Sequence, residues 1–152
     1  RPRDWSSDVC SSDLSAANMT IPEIFARDGE AFFRRKERQV IARLLTEECG
    51  VLSTGGGAFL AAENRETITR NGASIWLQAD LEVLWNRVRH RDTRPLLKTP
   101  DPRATLAELY AARVPLYAKA DLTVASDGQA SIEEMVDRVL EALRSRPDVL
   151  EL

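Results

Sequence analysis

In Gly50-Val51-Leu52-Ser53-Thr54-Gly55-Gly56-Gly57 a short apolar run passes directly into a glycine-rich loop, and this transition is the strongest indication of the fold class. Val51–Ser53 predicts a buried strand, and helices are predicted on either side of it, over about residues 30–49 and 61–71. Short apolar strands that alternate with helices are typical of a parallel sheet covered on both faces. Since α/β proteins bind ligands at the carboxyl ends of parallel strands, the loop is expected to lie at a ligand site.

Signals before the glycine loop predict two consecutive helices. Thr20-Ile21-Pro22-Glu23 is a capping box that begins a short helix, which Gly29 is expected to end. In the next helix, apolar residues recur at three- and four-residue steps, and Glu37 shares their spacing. The apolar members of this core-facing set are Phe33, Val40, Ile41, Leu44 and Leu45.

After the loop, strands are predicted over residues 74–77 and 122–124, with helices between and after them. Asp80 is expected to cap one helix, and Asp101-Pro102 to open another that closes near Pro115. Ser131-Ile132-Glu133-Glu134 is a second capping box, and its helix is expected to end near Arg146.

Composition limits the classes of protein that fit. The chain has 152 residues, 43% of them hydrophobic and 30% charged, which suits one soluble globular domain. A net charge of -3 favours neither nucleic acid nor an anionic membrane as a partner. No apolar run approaches the roughly 20 residues of a membrane span, so a cytoplasmic protein is expected. Cys10 and Cys49 lack metal-ligand spacing and are expected to be reduced.

The opening residues 1–14 differ from the rest of the chain. They are polar, repeat the tripeptide Ser-Ser-Asp, and show neither a helical stripe nor a clean strand alternation. We interpret them as a non-native-looking segment and leave them out of the predicted fold. Residues 15–146 are the predicted domain, and residues 147–152 a C-terminal tail.

Four motifs occur in order at sensible separations: Phe33-Arg34-Arg35-Lys36-Glu37, Thr54-Gly55-Gly56-Gly57, Arg94-Pro95-Leu96-Leu97 and Arg113-Val114-Pro115-Leu116-Tyr117. With Ile21-Pro22-Glu23-Ile24-Phe25 before them, they resemble the shikimate kinase family from about Ala16 to Leu143. The resemblance implies an α/β domain with a three-layer parallel sheet of P-loop, nucleoside-monophosphate-kinase-like type. It also implies ATP-dependent phosphorylation of the 3-hydroxyl of shikimate, in aromatic amino-acid biosynthesis, by a monomer that uses ATP and Mg²⁺.

Site residues follow from the same resemblance. It implies that Arg34, Gly56 and Arg113 hold shikimate and that Arg94 reaches the nucleotide phosphates. Guanidinium forks suit this role because they match a carboxylate in bidentate geometry. Glu37 lies three residues after Arg34 on the same helical face and is expected to fix its rotamer. Gly55 and Gly57 are the other supporting residues.

Simpler readings of these motifs stay open at this point. Arg34 and Glu37 also fit a solvated surface pair worth about 0.3–0.5 kcal/mol. The triple glycine also fits a plain turn, and Arg94 a loop cation without a partner. As a whole, the chain also fits a gluconate-type P-loop kinase or a non-catalytic module that binds an anionic metabolite.

One expected motif is absent from the sequence. No Gly-x-x-x-x-Gly-Lys-Ser/Thr occurs, and the triple glycine is not such a loop because no lysine follows it. The family's Asp-x-Asp positions fall, by ungapped counting, on Asp8 and Cys10. We therefore expect a chain without its first, central strand, which would lie between Val51–Ser53 and Ser74–Leu77. No catalytic or metal-binding residue is expected to be retained, and the chain as written is predicted to be an inactive, N-terminally truncated kinase.

Overall fold

The structure, a computed structural model, describes residues 6–8, 21–90 and 97–149. The chain forms two compact units, Arg1–Gly72 and Ala73–Leu152, and strands alternate with helices in both. The first unit contains strand β1 (Ser6–Asp8), helix α1 (Ile21–Glu47), strand β2 (Val51–Ser53), a 3₁₀ helix (Ala58–Leu60) and helix α2 (Ala62–Asn71). The second contains strand β3 (Ile75–Gln78), helices α3 (Leu81–Val88) and α4 (Pro102–Tyr117), strand β4 (Leu122–Ala125) and helix α5 (Ile132–Leu143).

Helix α1 is two helices joined at Gly29. This residue has φ 83° and ψ 168°, a conformation that glycine adopts without the steric cost of a Cβ atom. The break confirms the predicted end of the first helix. Because the second helix starts directly after it, the chain changes direction with no intervening loop.

The first unit's core forms where α1 meets the 3₁₀ helix and α2. Ile41, Ala58 and Ile68 are buried together, and partly buried residues surround them: Val40, Leu45, Leu52 and Phe59. Phe33 and Leu44, which lie on the same stripe of α1, are also buried. The predicted apolar face is therefore confirmed, and the structure adds Glu37, which is 1% exposed although only the apolar members were assigned to the core.

The opening segment contributes a strand, which corrects its exclusion from the fold. Residues Ser6–Asp8 form β1 and pair in parallel with β2, with Asp8 opposite Ser53. Strand pairing uses backbone groups that every residue carries, so a segment without alternating side chains can still form a ladder. Cys10 and the side chain of Asp8 lie outside what the structure describes.

In the second unit, β3 and β4 pair in parallel from Ile75 opposite Leu122 to Gln78 opposite Ala125. Just before the strands, the Asp121 carboxylate accepts hydrogen bonds from the Ser74 N–H at 2.8 Å and from its hydroxyl at 3.0 Å. The Asp121 N–H in turn donates to Ser74 Oγ at 2.9 Å. These bonds fix the register at the point where both strands begin.

Parallel pairing is confirmed in both units, and each described sheet has two strands. Within the described residues, β2 pairs with β1 and β3 with β4. Val51 on β2 and Leu77 on β3 are 66% and 56% exposed. These apolar strand residues lie on the two strands that were expected to flank the central strand of the family's sheet.

Two helix termini differ from the prediction. Pro115 lies inside α4 instead of closing it, and the helix continues to Tyr117. Proline removes only its own N–H donor, and helical hydrogen bonding continues past it, with Ala118 N donating to Val114 O at 2.9 Å. Asp80 occupies the N-cap position of α3 without a side-chain capping hydrogen bond. Asp101 caps α4 as predicted, accepting from Ala104 N at 3.2 Å.

Helix α5 begins with the predicted capping box, in which Ser131 Oγ accepts from Glu134 N at 3.1 Å and Glu134 Oε2 accepts from Ser131 N at 2.7 Å. It ends at Leu143, three residues before the predicted end near Arg146. Across residues 21–90 and 97–149, no helix is long and apolar enough to span a bilayer.

The loop between β4 and α5 is held by Asp127. Its carboxylate accepts from the N–H groups of Gln129 and Ala130, both at 3.0 Å, and from Arg138 Nη2 at 3.2 Å. These backbone donors, and then the guanidinium, lower the pKa of Asp127 from its ordinary 3.8 to about 2. Arg138 also donates to Ala125 O at 3.0 Å, so α5 is tethered to the end of β4.

We predict a pH-dependent stability contribution from Asp127. Because its folded-state pKa is depressed, the contribution is present above pH 3.8 and is lost as the pH falls to about 2. Asp127→Asn should therefore lower the unfolding midpoint well above pH 3.8 and lower it progressively less towards about 2. Urea unfolding across this pH range measures the difference in midpoint between the unsubstituted protein and Asp127→Asn.

Asp137→Asn is the matched control for this prediction, because Asp137 is an exposed acid on α5. It should leave the midpoint nearly unchanged at every pH. A midpoint difference for Asp127→Asn that stays constant over the whole pH range would contradict the pH-dependent contribution of Asp127.

Candidate functional site

The best-defined polar feature of the first unit is the ion pair between Arg34 and Glu37. One helical turn of α1 brings them together, and Arg34 Nη1 donates to Glu37 Oε1 at 2.8 Å. The Glu37 side chain is 2% exposed, whereas that of Arg34 is 35% exposed. This burial excludes a solvated surface pair. A guanidinium is thus fixed from the core side and still reaches solvent.

Neighbouring groups further restrict the Arg34 side chain. Its Nε lies 3.6 Å from Oε1 of Glu30, one turn earlier on α1. Its Cζ lies 5.3 Å from the centroid of the Phe33 ring, within the range of a cation–π contact. These contacts with two carboxylates and one aromatic ring restrict the orientations that the Arg34 guanidinium can adopt.

Another arginine of the same helix provides a contrast. Arg38 Nη1 lies 2.7 Å from Glu63 Oε2 on α2, but the two side chains are 38% and 75% exposed. Such an exposed pair contributes about 0.2–1 kcal/mol. Distance alone therefore does not distinguish the two pairs, and the burial of Glu37 does.

The glycine loop lies beside Arg34. It leaves the carboxyl end of β2 and enters the 3₁₀ helix, where Ala58 N donates to Gly55 O at 3.1 Å and Leu60 N to Gly57 O at 3.2 Å. A Cβ atom at Gly57 would lie within 3 Å of the Arg34 guanidinium. The structure therefore brings Arg34, Glu37 and the loop into one cluster.

Two residues of α2 hold this loop in place. The buried Asn64 donates from Nδ2 to Ala58 O at 2.8 Å, and Arg65 Nη1 donates to Phe59 O at 2.7 Å and to Leu60 O at 2.8 Å. Neither residue was predicted from the sequence. The available signal was an amide and a guanidinium directly after a short helical turn, whose carbonyls lack partners within that turn.

Arg113 lies in the second unit, on α4. It is half-buried, and among the described residues no hydrogen bond or ion pair from its guanidinium is found. One turn later, the ring of Tyr117 contacts Trp76 of β3, with centroids 6.3 Å apart. This contact gives Tyr117 a packing role, and it fixes the helix turn that carries Arg113.

Arg94 is the arginine that was expected to reach the nucleotide phosphates. Arg94 lies outside the described residues, so its assignment stays a prediction. Arg87, at the end of α3, donates from Nη2 to Oγ of the buried Ser126 at 2.7 Å. That bond ties α3 to the loop that follows β4.

The residues in hand suit an organic anion better than a metal ion. Within residues 26–90 and 97–149, no three Asp, Glu, His or Cys side chains lie close enough to hold a metal. A guanidinium that is oriented by a buried acid and keeps part of its surface in solvent can form charge-assisted hydrogen bonds to a carboxylate. Cys49 has a free, exposed thiol and lies after the end of α1.

Comparisons with known proteins give one consistent result. The family model described as "Shikimate kinase" matches residues 14–144. A shikimate kinase from Ruegeria pomeroyi is 71% identical over 138 residues, which are 91% of this chain and 71% of that protein. One from Cereibacter sphaeroides is 64% identical over 136 residues, 90% of this chain and 68% of that protein.

Solved structures agree with the sequence relatives. A shikimate kinase from Acinetobacter baumannii, solved in complex with shikimate, superposes with a TM-score of 0.82 at 31% identity, covering 92% of this chain and 78% of that one. A shikimate kinase from Bacteroides thetaiotaomicron gives a TM-score of 0.79 at 26% identity, covering 92% and 82%. The predicted P-loop kinase type of α/β fold is confirmed.

We predict that the two ion-pair arginines of α1 differ in their effect on stability. Arg34→Ala leaves the buried Glu37 carboxylate without this partner and should lower the free energy of unfolding by about 3 kcal/mol or more. Arg38→Ala, the matched control, leaves only the exposed Glu63 and should cost about 1 kcal/mol or less. Urea unfolding of both variants measures the difference.

A double variant tests whether the loss of stability comes from the unpaired Glu37 carboxylate. Arg34→Ala combined with Glu37→Met removes both charges and should recover much of the loss. Equal losses for Arg34→Ala and Arg38→Ala, or no recovery in the double variant, would show that the buried pair is not what distinguishes Arg34.

Proposed function

Because this chain belongs to the shikimate kinase family, whose reaction is the ATP-dependent phosphorylation of shikimate, we propose that Arg34 binds the carboxylate of shikimate. The observation that carries this proposal is the Arg34–Glu37 pair, in which a buried acid holds a partly exposed guanidinium at 2.8 Å. A guanidinium held in this way loses little side-chain freedom when it binds a ligand. Each charge-assisted hydrogen bond to the carboxylate would then contribute about 1.5–3 kcal/mol.

Gly56 and Arg113 complete the proposed set of substrate residues. Gly56 lies in the loop beside Arg34, and a residue without a side chain lets a ligand approach the backbone N–H groups. Arg113 is half-buried and has no described partner for its guanidinium, so its N–H donors are available to a ligand. Both features support contact with an oxygen-rich small acid.

The described residues support binding of the nucleotide less than binding of the substrate. The residues described do not fit Mg²⁺–ATP, since they contain no metal-ligand cluster and the sequence contains no Gly-x-x-x-x-Gly-Lys-Ser/Thr. ATP and Mg²⁺ are the cofactors proposed from the family, and Arg94 is the residue proposed to reach the nucleotide phosphates. The chain as given is therefore proposed to recognise shikimate without phosphorylating it.

Setting and assembly are proposed from the same family. We place the reaction in the cytoplasm, which suits the free thiol of Cys49. The protein is proposed to act as a monomer, with no nucleic acid or membrane partner.

A graft tests this function. The chain as given should show no shikimate-dependent ADP release above background in a coupled assay. Replacing residues 1–15 with the strand, P-loop, helix and Asp-x-Asp strand of a shikimate kinase should restore both stability and turnover. The graft replaces β1, which already pairs with β2 in parallel.

Variants of the grafted protein separate the roles of the arginines. Arg34→Ala and Arg113→Ala should each raise KM for shikimate about tenfold or more, whereas Arg94→Ala should chiefly lower kcat. Arg35→Ala is the control, because Arg35 is exposed on α1. Turnover by the ungrafted chain that Arg34→Ala abolishes, or an effect of Arg35→Ala as large as that of Arg34→Ala, would contradict the proposal.

A further inference from the structure

Gly57 has no conformational need to be glycine. Its φ of -70° and ψ of -27° lie in the right-handed helical region, which any residue adopts. An alanine in that conformation would normally stabilise the folded protein by restricting the unfolded chain. The reason for glycine at this position must therefore be sought in the space around it.

That space is filled by the Arg34 guanidinium. A Cβ atom at Gly57 would overlap Arg34 Nη2 and would lie 2.8 Å from both Cζ and Nη1. These positions are well inside van der Waals contact, so either the guanidinium or the loop would have to move. The loop is restrained, since Gly57 O accepts from Leu60 N at 3.2 Å and the 3₁₀ helix that follows is held by Asn64.

The guanidinium cannot move without losing a bond to a buried acid. The same Nη1 that a Cβ atom would displace donates to Glu37 Oε1 at 2.8 Å, and the Glu37 side chain is 2% exposed. Displacement would leave a buried carboxylate unpaired, which is the costly outcome for a buried ion pair. Glu37 therefore holds the Arg34 guanidinium by a hydrogen bond, and the missing side chain of Gly57 leaves the space that the guanidinium occupies.

We infer that Gly57 is a positioning residue, which fixes where the Arg34 guanidinium lies and hence how it meets the carboxylate of the substrate. The inference rests on the proposed function of Arg34. It assigns the third glycine of the loop a role in orienting a side chain, separate from any contact between the loop backbone and a ligand.

The same loop provides a matched control at Gly55. No atom lies within 4 Å of a Cβ atom built at this position, and its φ is outside the left-handed region. Gly55→Ala therefore adds the same methyl group two residues away without touching Arg34. A difference between Gly55→Ala and Gly57→Ala reports on the guanidinium and not on loss of glycine from the loop.

The test is a double-substitution cycle on the full chain, with thermal unfolding and calorimetric titration of shikimate as separate measurements. Gly57→Ala alone should lower the unfolding midpoint by several degrees and raise the Kd for shikimate about tenfold, as for loss of one charge-assisted hydrogen bond. In the Arg34→Lys background, which keeps the charge and removes the fork, Gly57→Ala should leave the midpoint unchanged or raise it. Gly55→Ala should shift the midpoint equally in both backgrounds.

The two measurements distinguish failure of this inference from failure of the proposed function. Equal midpoint shifts for Gly57→Ala in the unsubstituted and Arg34→Lys backgrounds would overturn the positioning role, whatever the titrations show. The midpoints are coupled when Gly57→Ala shifts them differently in the two backgrounds. Coupled midpoints in variants that all fail to bind shikimate would support the positioning of Arg34 and overturn its proposed substrate role. Coupled midpoints with an unchanged Kd in Gly57→Ala would show that the position of the fork does not govern binding, and would overturn the inference.

Discussion

The burial of the Glu37 carboxylate beneath Arg34 is the constraint on which the proposed site depends. A charged carboxylate that is 1% exposed is tolerated only when a cation and hydrogen bonds compensate for its lost hydration. The compensation comes from the Arg34 guanidinium, which is 35% exposed. One ion pair therefore both stabilises the core and orients a guanidinium that solvent can reach. Gly57 belongs to this constraint, because any larger residue would compete with the fork for space.

The rest of the first unit holds this pair at the end of a strand. Gly29 ends one helix so that the next can present Arg34 and Glu37, and β2 delivers the glycine loop beside them. The 3₁₀ helix after the loop is fixed by hydrogen bonds from the first turn of α2. In the second unit, ring contact between Tyr117 and Trp76 fixes the turn that carries Arg113. Rigid elements thus support both proposed substrate arginines, as preorganised recognition of a small acid requires.

Local patterns predicted the elements of the fold well, since the alternation of strands and helices after Gly29 and the capping box at Ser131 follow from periodicity and end signals. They failed where the outcome depends on tertiary contacts. Ser6–Asp8 pairs through backbone groups that its side chains do not announce, and Pro115 lies within α4 because its helix loses only one donor there. The burial of Glu37 could not be read from its charge, and the role of Gly57 depends on a side chain 23 positions away in the sequence. Arg34, Gly56 and Arg113 were reached through motif resemblance, which periodicity alone would not have supplied.

The Arg34 guanidinium, held by Glu37, is proposed to receive the carboxylate of shikimate. The most direct measurement follows the arginine side-chain Nε–H resonances by NMR while shikimate, or its methyl ester, is added to the chain. We expect a saturable shift of the Arg34 resonance with shikimate, a much smaller shift with the ester, and an unchanged Arg38 resonance. An Arg34 resonance that does not move while shikimate binds, or that responds equally to both compounds, would contradict this role of Arg34.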